Sequence, residues 1–165
     1  MDYSIRALTQ EDQAIVWEML RYAAHESSLQ SVQSQPLLAR YAVDWGRPGD
    51  VGCVATLSTI AIGVAWLRLG SEDDQGFGYI SDDIPELAIA VLPNYRGQGL
   101  GTQLLMQILE MAKPNFSAVS LSVRADNPVV RLYERSGFVK IAGSEVVNRT
   151  GGGSFTMVCK LDKRI

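Results

Sequence analysis

The stretch Glu86-Leu-Ala-Ile-Ala-Val-Leu-Pro-Asn-Tyr-Arg-Gly-Gln-Gly-Leu-Gly-Thr-Gln-Leu-Leu-Met-Gln-Ile-Leu-Glu-Met-Ala-Lys113 reads as strand, glycine loop and helix. Leu87 to Leu92 is a nearly unbroken apolar run, which predicts a strand buried on both faces. Pro93 and Asn94 end it. Gly97, Gly99 and Gly101 follow at alternate positions. Leu100, Leu104, Ile108 and Met111 then recur at helical spacing, and Leu105 and Leu109 widen the stripe.

Glycines at a strand-to-helix junction have a physical meaning. Glycine tolerates positive φ and lets a ligand approach the backbone closely. The first turn of the helix leaves its N–H groups unpaired and carries the positive end of the macrodipole. One such glycine makes only a tight turn; three in this setting point to an anion seat, most often for phosphate. A P-loop would end in Gly-Lys-Ser/Thr, whereas Gly101 is followed by Thr102 with no lysine. A dinucleotide fingerprint needs G-x-G-x-x-G, and the spacing here is G-x-G-x-G. A nucleotide-binding α/β domain is therefore disfavoured.

The segment Arg96-Gly97-Gln98-Gly99-Leu100-Gly101 resembles the acyl-CoA signature R/Q-x-x-G-x-G/A of the GNAT superfamily of N-acetyltransferases. The resemblance extends upstream to Ile89-Ala90-Val91-Leu92-Pro93. Downstream, Asn127-Pro128 and Leu132-Tyr133-Glu134-Arg135-Ser136-Gly137-Phe138 are similar to the family's second motif. Two motifs in the right order are more specific than either alone, and they span about the C-terminal half of the chain. The fold this implies is α+β: a mixed, mostly antiparallel central sheet flanked by helices on both faces, with the central strand and its parallel neighbour splaying apart. The pantetheine arm of acetyl-CoA, the co-substrate, would add along the open edge of the central strand.

The resemblance assigns roles. The backbone N–H groups of Gly97, Gln98, Gly99, Leu100, Gly101 and Thr102 would hold the diphosphate, with Arg96 adding charge. Ile89, Ala90 and Val91 would meet the pantetheine through their main chain, and the Val91 amide would polarise the thioester carbonyl. Asn127 would cap its helix and touch the cofactor. Tyr133 occupies the position of the general acid that protonates the leaving thiolate. A phenol with an unperturbed pKa near ~10 stays protonated and can donate. For the base, the parallel neighbour Ser120-Leu121-Ser122-Val123-Arg124 carries no carboxylate. Glu86 is the remaining candidate, one residue off the commonest family register; a water chain is the alternative. The reaction implied is acetyl transfer to a primary amine of a small molecule or peptide, by direct attack in a ternary complex. An acyl-CoA sensor or partner-binding module on the same fold is the competing class, and the resemblance also leaves room for a homodimer.

Composition sets bounds. The 165 residues predict a single domain over 1–165 with a full core. Hydrophobic residues at 47 % and charged residues at 20 % are ordinary for a globular protein. A formal net charge of −3 and the lack of a basic run speak against nucleic acid. No apolar run is long enough for a bilayer, and the first residues lack signal-peptide character. Cys53 and Cys159 read as reduced core residues of a cytoplasmic protein. With one histidine, His25, a multi-histidine metal site is excluded and no metal is expected.

Working outward, Tyr3 to Leu8 predicts a first strand, and Thr9 with Asp12 a capping box for a helix to about Ala24. His25 to Gln35 is polar, a loop or weak helix, and Pro36 opens a second short helix through Leu37, Leu38, Tyr41 and Ala42. By resemblance this region overlies the acceptor pocket; His25, Glu26, Tyr41 and Trp45 are either its lining or simple surface and packing. Val51–Leu57 and Ile60–Leu69 predict two antiparallel strands. Gly70 to Pro85, with Glu72, Asp73, Asp74, Asp82 and Asp83 and no cation, predicts a mobile acidic loop, whose charge would favour a cationic acceptor or merely keep it solvated. Ala118–Val123 is a strand parallel to the central one. Asn127 and Pro128 start a helix that Gly137 stops, and 138–147 with 154–161 form a final hairpin. The expected order is β-α-α-β-β-β-α-β-α-β-β.

Overall fold

The computed structural model describes residues 2–161. In chain order the elements are β1 (Ser4–Ala7), α1 (Gln13–Ala23), α2 (Leu29–Gln33), α3 (Pro36–Ala39), β2 (Val51–Leu57), β3 (Ile60–Arg68), β4 (Glu86–Val91), α4 (Leu100–Ala112), β5 (Ala118–Arg124), α5 (Val130–Arg135), β6 (Val139–Lys140), β7 (Val146–Val147) and β8 (Gly153–Lys160). Eight strands make up the mixed sheet. By contact density the chain divides into two compact units, one holding the residues up to Arg68 with Leu87–Met111, the other Leu69–Glu86 with the residues from Ala112 onward.

In the first unit the strands run in the order β1-β2-β3-β4, with β1, β2 and β3 antiparallel. The register between β2 and β3 shifts at Ala55/Thr56, a bulge that turns Ala61, Val64 and Trp66 to one face. That face packs against Val16, Met19 and Leu20 of α1, Val32 of α2 and Leu38 of α3. On the opposite face, a side chain at Gly63 would run into Leu104 and Leu100 of α4, so glycine lets α4 lie close. Leu100, Leu104, Leu105 and Ile108 are buried as the stripe predicts, while Leu109 and Met111 are half-buried.

The capping box is present: Glu11 N donates to Thr9 Oγ1 at 3.3 Å and Thr9 N to Asp12 Oδ2 at 2.7 Å. It starts a short turn at Gln10–Asp12 that runs into α1. Part of the segment read as a loop or weak helix is α2, one turn capped by Ser28, whose Oγ accepts from Ser31 N. Three helices thus stand where two were expected. Tyr41 and Trp45 are packing residues, 7 % and 5 % exposed in the core. Trp45 Nε1 donates to Thr9 O at 3.0 Å, and Trp66 Nε1 to Tyr41 O at 2.9 Å.

The 40–50 segment is held by one buried charge. Arg68 ends β3 and donates to Asp50 through Nε (3.1 Å) and Nη2 (2.8 Å), and through Nη1 to the carbonyls of Arg40 and Val43. Asp50 also accepts from Gly46 N and Arg47 N. The side chains of Arg68 and Asp50 are 1 % and 3 % exposed. Each of the three guanidinium nitrogens has an acceptor, as a buried ion pair requires. Asp50→Ala should destabilise the protein by about 3 kcal/mol, the low end for stranding a buried charge. Urea unfolding checks this, and an unchanged midpoint refutes it.

In the second unit β8 lies between β5 and β6, antiparallel to both, and β7 pairs further along β8. The expected 138–147 strand is therefore broken into β6 and β7. Ser144 causes the break: its Oγ donates to Ile141 O at 2.6 Å and accepts from Thr156 N at 3.0 Å, replacing a ladder bond, while Gly143 turns at φ 80. The acidic 70–85 segment has no named helix or strand, but it is not the free loop expected. Ser71 and Asp74 bridge, Tyr79 Oη donates to Asp82, and Ser81 Oγ to Asp83. A side chain at Gly78 would meet the Leu121 and Ser122 backbone at 2.6–2.9 Å, so glycine lets this segment lie on β5.

Candidate active site

β4 spans Glu86–Val91 rather than Leu87–Leu92, and only Glu86, Leu87 and Ala90 are buried; Ala88, Ile89 and Val91 are half-buried. The half-buried apolar side chains of Ala88, Ile89 and Val91 leave room for a further group to cover them. After it, Tyr95 N bonds back to Leu92 O at 2.9 Å in a tight turn at Pro93–Tyr95. Arg96 Nε donates to Val91 O at 3.0 Å. Arg96 is thereby tied to the strand end.

Gly97 has φ 75 and Gly99 φ 83, both in the left-handed region, and a Cβ at either would meet nothing within 4 Å. The backbone here is exposed and curved, with open space before it. Gln103 N bonds to Gly99 O at 3.2 Å, which begins the helical ladder. The N–H groups at the start of this 13-residue helix have no partner within the helix itself. Leu100 is 1 % exposed, so it can serve a ligand through its main chain alone. Gln98, Gly99 and Arg96 are exposed, and Gly101 and Thr102 half-buried. The positive φ at Gly97 and Gly99 and the open space before them are what an anion seat at a helix start requires. Beside it in the first unit runs an apolar groove of about 290 Å³ lined by Ile15, Glu18, Met19, Tyr22, Ala61 and Leu92. Glu18 is taken by Arg21 Nε at 3.3 Å, which leaves the groove suited to aliphatic surface.

The second unit holds the proton-handling candidates. Tyr133 lies on α5, 7 % exposed, its ring 5.6 Å from that of Phe138. Burial pushes its hydroxyl up to about 12, so it is a donor at any working pH. Asn127 lies ahead of the regular helix, which begins at Val130 and not at Pro128. Its Oδ1 accepts from Val129 N at 3.0 Å and so caps the lead-in turn. Glu86, 6 % exposed, pairs in parallel with Ser120 of β5. Cross-strand partners share a face, and on β5 that face carries Ser120, Ser122 and Arg124, while Val119, Leu121 and Val123 are buried on the other. His25 is exposed at φ 57 in the turn ending α1, and Glu26 accepts from Ser31 Oγ and Gln35 Nε2. Among the described residues no group of three or more His, Cys, Asp or Glu could hold a metal.

A family model described as the acetyltransferase (GNAT) family matches residues 12–138. The chain belongs to that family. The enzyme is an acetyl-CoA-dependent N-acetyltransferase. Comparison with curated proteins finds no match. Solved structures share the fold. A putative acetyltransferase from Salmonella typhimurium with its cofactor acetyl-CoA has a TM-score of 0.73 at 20 % identity, covering 100 % of this chain and 97 % of that one. The ribosomal-protein-S18-alanine N-acetyltransferase of Escherichia coli scores 0.69 at 20 % identity, over 99 % and 97 % of the two chains. A spermidine N-acetyltransferase chimera from Vibrio cholerae scores 0.66 at 20 % identity, over 97 % and 96 %. At such identities the likeness is one of fold.

Two features of consequence, three residues in all, escape a motif reading of this acetyltransferase. Arg68 and Asp50 form the buried pair, and Ser120 faces Glu86. The first had a signal: a lone charge closing the apolar run from Ile60, and an aspartate just ahead of the strand that pairs with it. Pairing Val51 with Leu67 puts Asp50 beside Arg68.

Proposed function

We propose that this acetyltransferase acts on a primary amine of a small molecule or peptide, by direct attack on the thioester in a ternary complex. The observation that carries direct transfer is the state of the cysteines. Cys53 and Cys159 are both buried and unbridged, and burial pushes the Cys53 thiol up to about 11. A buried, protonated thiol is a poor nucleophile, which argues against an acetyl-cysteine intermediate. In this reading the 97–102 backbone with Arg96 seats the diphosphate, and the main chain of Ile89, Ala90 and Val91 takes the pantetheine. Glu86 draws off the amine's proton, Tyr133 donates to the thiolate, and Asn127 supports the cofactor. The family match runs through both compact units, which favours one acetyltransferase domain over 1–165.

Enzyme mixed rapidly with acetyl-CoA alone should release no burst of CoA, and adding an amine from a panel of polyamines, amino acids and peptides should start release. A stoichiometric burst without amine overturns direct transfer. No turnover with any amine of the panel places the acceptor outside those classes.

For the acceptor we favour a cation. Similar structures include enzymes whose names specify spermidine and a protein alanine, and Glu72, Asp73, Asp74, Asp82 and Asp83 lie in a segment, 70–85, with no lysine or arginine. Neutralising all five should raise the acceptor KM several-fold at low salt and flatten its salt dependence. An unaltered KM returns the segment to a merely solvated one.

No helix among the described residues is long and apolar enough to cross a membrane. The unbridged cysteines favour the cytoplasm, and the net charge of −3 disfavours nucleic acid as a partner. A second copy is the partner that the outer strands suit. β6 and β7 expose Val139, Val146 and Val147, and Lys140 pairs with Glu145 within the chain at 2.5 Å. A second copy would cover the valines and leave that ion pair at the rim. Sedimentation velocity tests this, and a monomer at high concentration ends it.

A further inference from the structure

Ser120 sits in the middle of β5 at 0 % exposure, and its Oγ has no hydrogen-bond partner among the described residues. Burying a hydroxyl that way forfeits its hydration with nothing in return. Alanine or valine would occupy the position without that cost, so the hydroxyl calls for an explanation. The register shows what lies beside it. Ser120 pairs with Glu86 across the parallel rung and with Val158 across the antiparallel one, and Val158 pairs with Val139. The row on this face is therefore Glu86, Ser120, Val158, Val139: a carboxylate and a hydroxyl side by side, with valines closing the far end. Adjacent strands stand about 4.8 Å apart. At that spacing two short polar groups that do not bond directly can share one water, which needs two to four polar partners.

We propose that Ser120 is a positioning residue for amine deprotonation: its hydroxyl and the Glu86 carboxylate hold one water between them, and that water receives the proton of the acceptor ammonium. The inference rests on the reading of Glu86 as the base. The water donates one hydrogen to Glu86 and the other to Ser120 Oγ, which turns a lone pair toward the amine. When the N–H bond breaks, its electron pair stays on nitrogen and the proton joins the water. The hydrogen already shared with Glu86 moves onto the carboxylate. Ammonium and carboxylate become neutral amine and carboxylic acid, so charge balances and Ser120 gains or loses no proton. This merges the two alternatives for the base, a carboxylate and a water chain, into one device.

The test is a double-mutant cycle on the full-length protein with its best acceptor, under single-turnover conditions. Ser120→Ala should slow the chemical step about 10-fold, the scale of one lost hydrogen bond, with acetyl-CoA affinity unchanged. Ser120→Thr, which keeps the hydroxyl, should recover most of the rate. In a Glu86→Gln background Ser120→Ala should cost nothing further, because the two residues act through one water. A merely structural serine would give additive losses that track melting temperature. If Glu86→Gln is slow while Ser120→Ala runs at the wild-type rate, or the losses add, the inference falls and Glu86 stands. If Glu86→Gln itself runs at the wild-type rate, both fall.

Discussion

Gly99→Glu should abolish measurable acetyl-CoA binding while leaving a folded protein. The fold survives because the site is open: a Cβ at Gly99 meets nothing within 4 Å. The residue does hold φ 83, which costs a non-glycine residue about 1–2 kcal/mol. That is a small fraction of an ordinary domain's stability. Binding suffers more, because the carboxylate enters the space where the diphosphate must meet the first-turn N–H groups. It would capture those donors itself, as an acidic residue at a helix N-terminus does, and repel the ligand. Losing two or more charge-assisted hydrogen bonds at about 1.5–3 kcal/mol each is a loss of 10²- to 10⁴-fold. Gly99→Ala separates the causes: it carries the strain without the charge, so its affinity should fall by far less. Calorimetry with acetyl-CoA, alongside thermal melting, reads both. If Gly99→Glu binds acetyl-CoA as the wild type does, the loop is a turn and nothing more.

That loop was legible in the sequence because everything that shapes it is local. Glycine at 97 and 99 is what positive φ requires, proline at 93 ends the strand, and the stripe from Leu100 to Ile108 sets which face of α4 is buried. Tyr133 was legible through the motif around it, and burial is what the motif alone could not supply. The illegible features depend on partners far along the chain. β6 and β7 are separated because the Ser144 side chain bonds the main chain of Thr156 on another strand. Tyr41 and Trp45 looked equally fit for a pocket or a core, and the core contacts that settle it come from α1 and β3. Helix α2 is a single turn, too short for periodicity to register. The acidic segment looked free because charge is visible in sequence, whereas Gly78 pressed on β5 is not. Asn127 was read correctly as a cap but placed on the wrong turn, since Pro128 and Val129 form a lead-in before the regular helix.

Tyr133→Phe is the variant that separates a proton-donating tyrosine from a packed one. It removes one hydroxyl and almost no volume, and the ring keeps its packing on Phe138. The diphosphate seat is formed by other residues, so acetyl-CoA affinity should hold. The chemical step should slow by roughly 10²- to 10⁴-fold, the usual scale for a positioned acid. The buried hydroxyl sets where in that range the loss falls. Its pKa is pushed up to about 12, while an ordinary thiol lies near ~8.5, so outright proton transfer to a solvated thiolate would be uphill. A thiolate formed in a dry site is desolvated too and binds its proton more tightly, which narrows the gap. On the proposed assignment the hydroxyl would contribute chiefly as a hydrogen bond that strengthens while the carbon–sulfur bond breaks, and the lower end, near 100-fold, is expected. The loss should appear equally in kcat and kcat/KM, since the interaction exists only in the transition state. The pH profile should drop as a whole without moving either limb, because a group that titrates near 12 is protonated throughout the working range. If Tyr133→Phe turns over at the wild-type rate in single-turnover conditions, the tyrosine packs and does not protonate, and the leaving thiolate is stabilised by something else in this chain.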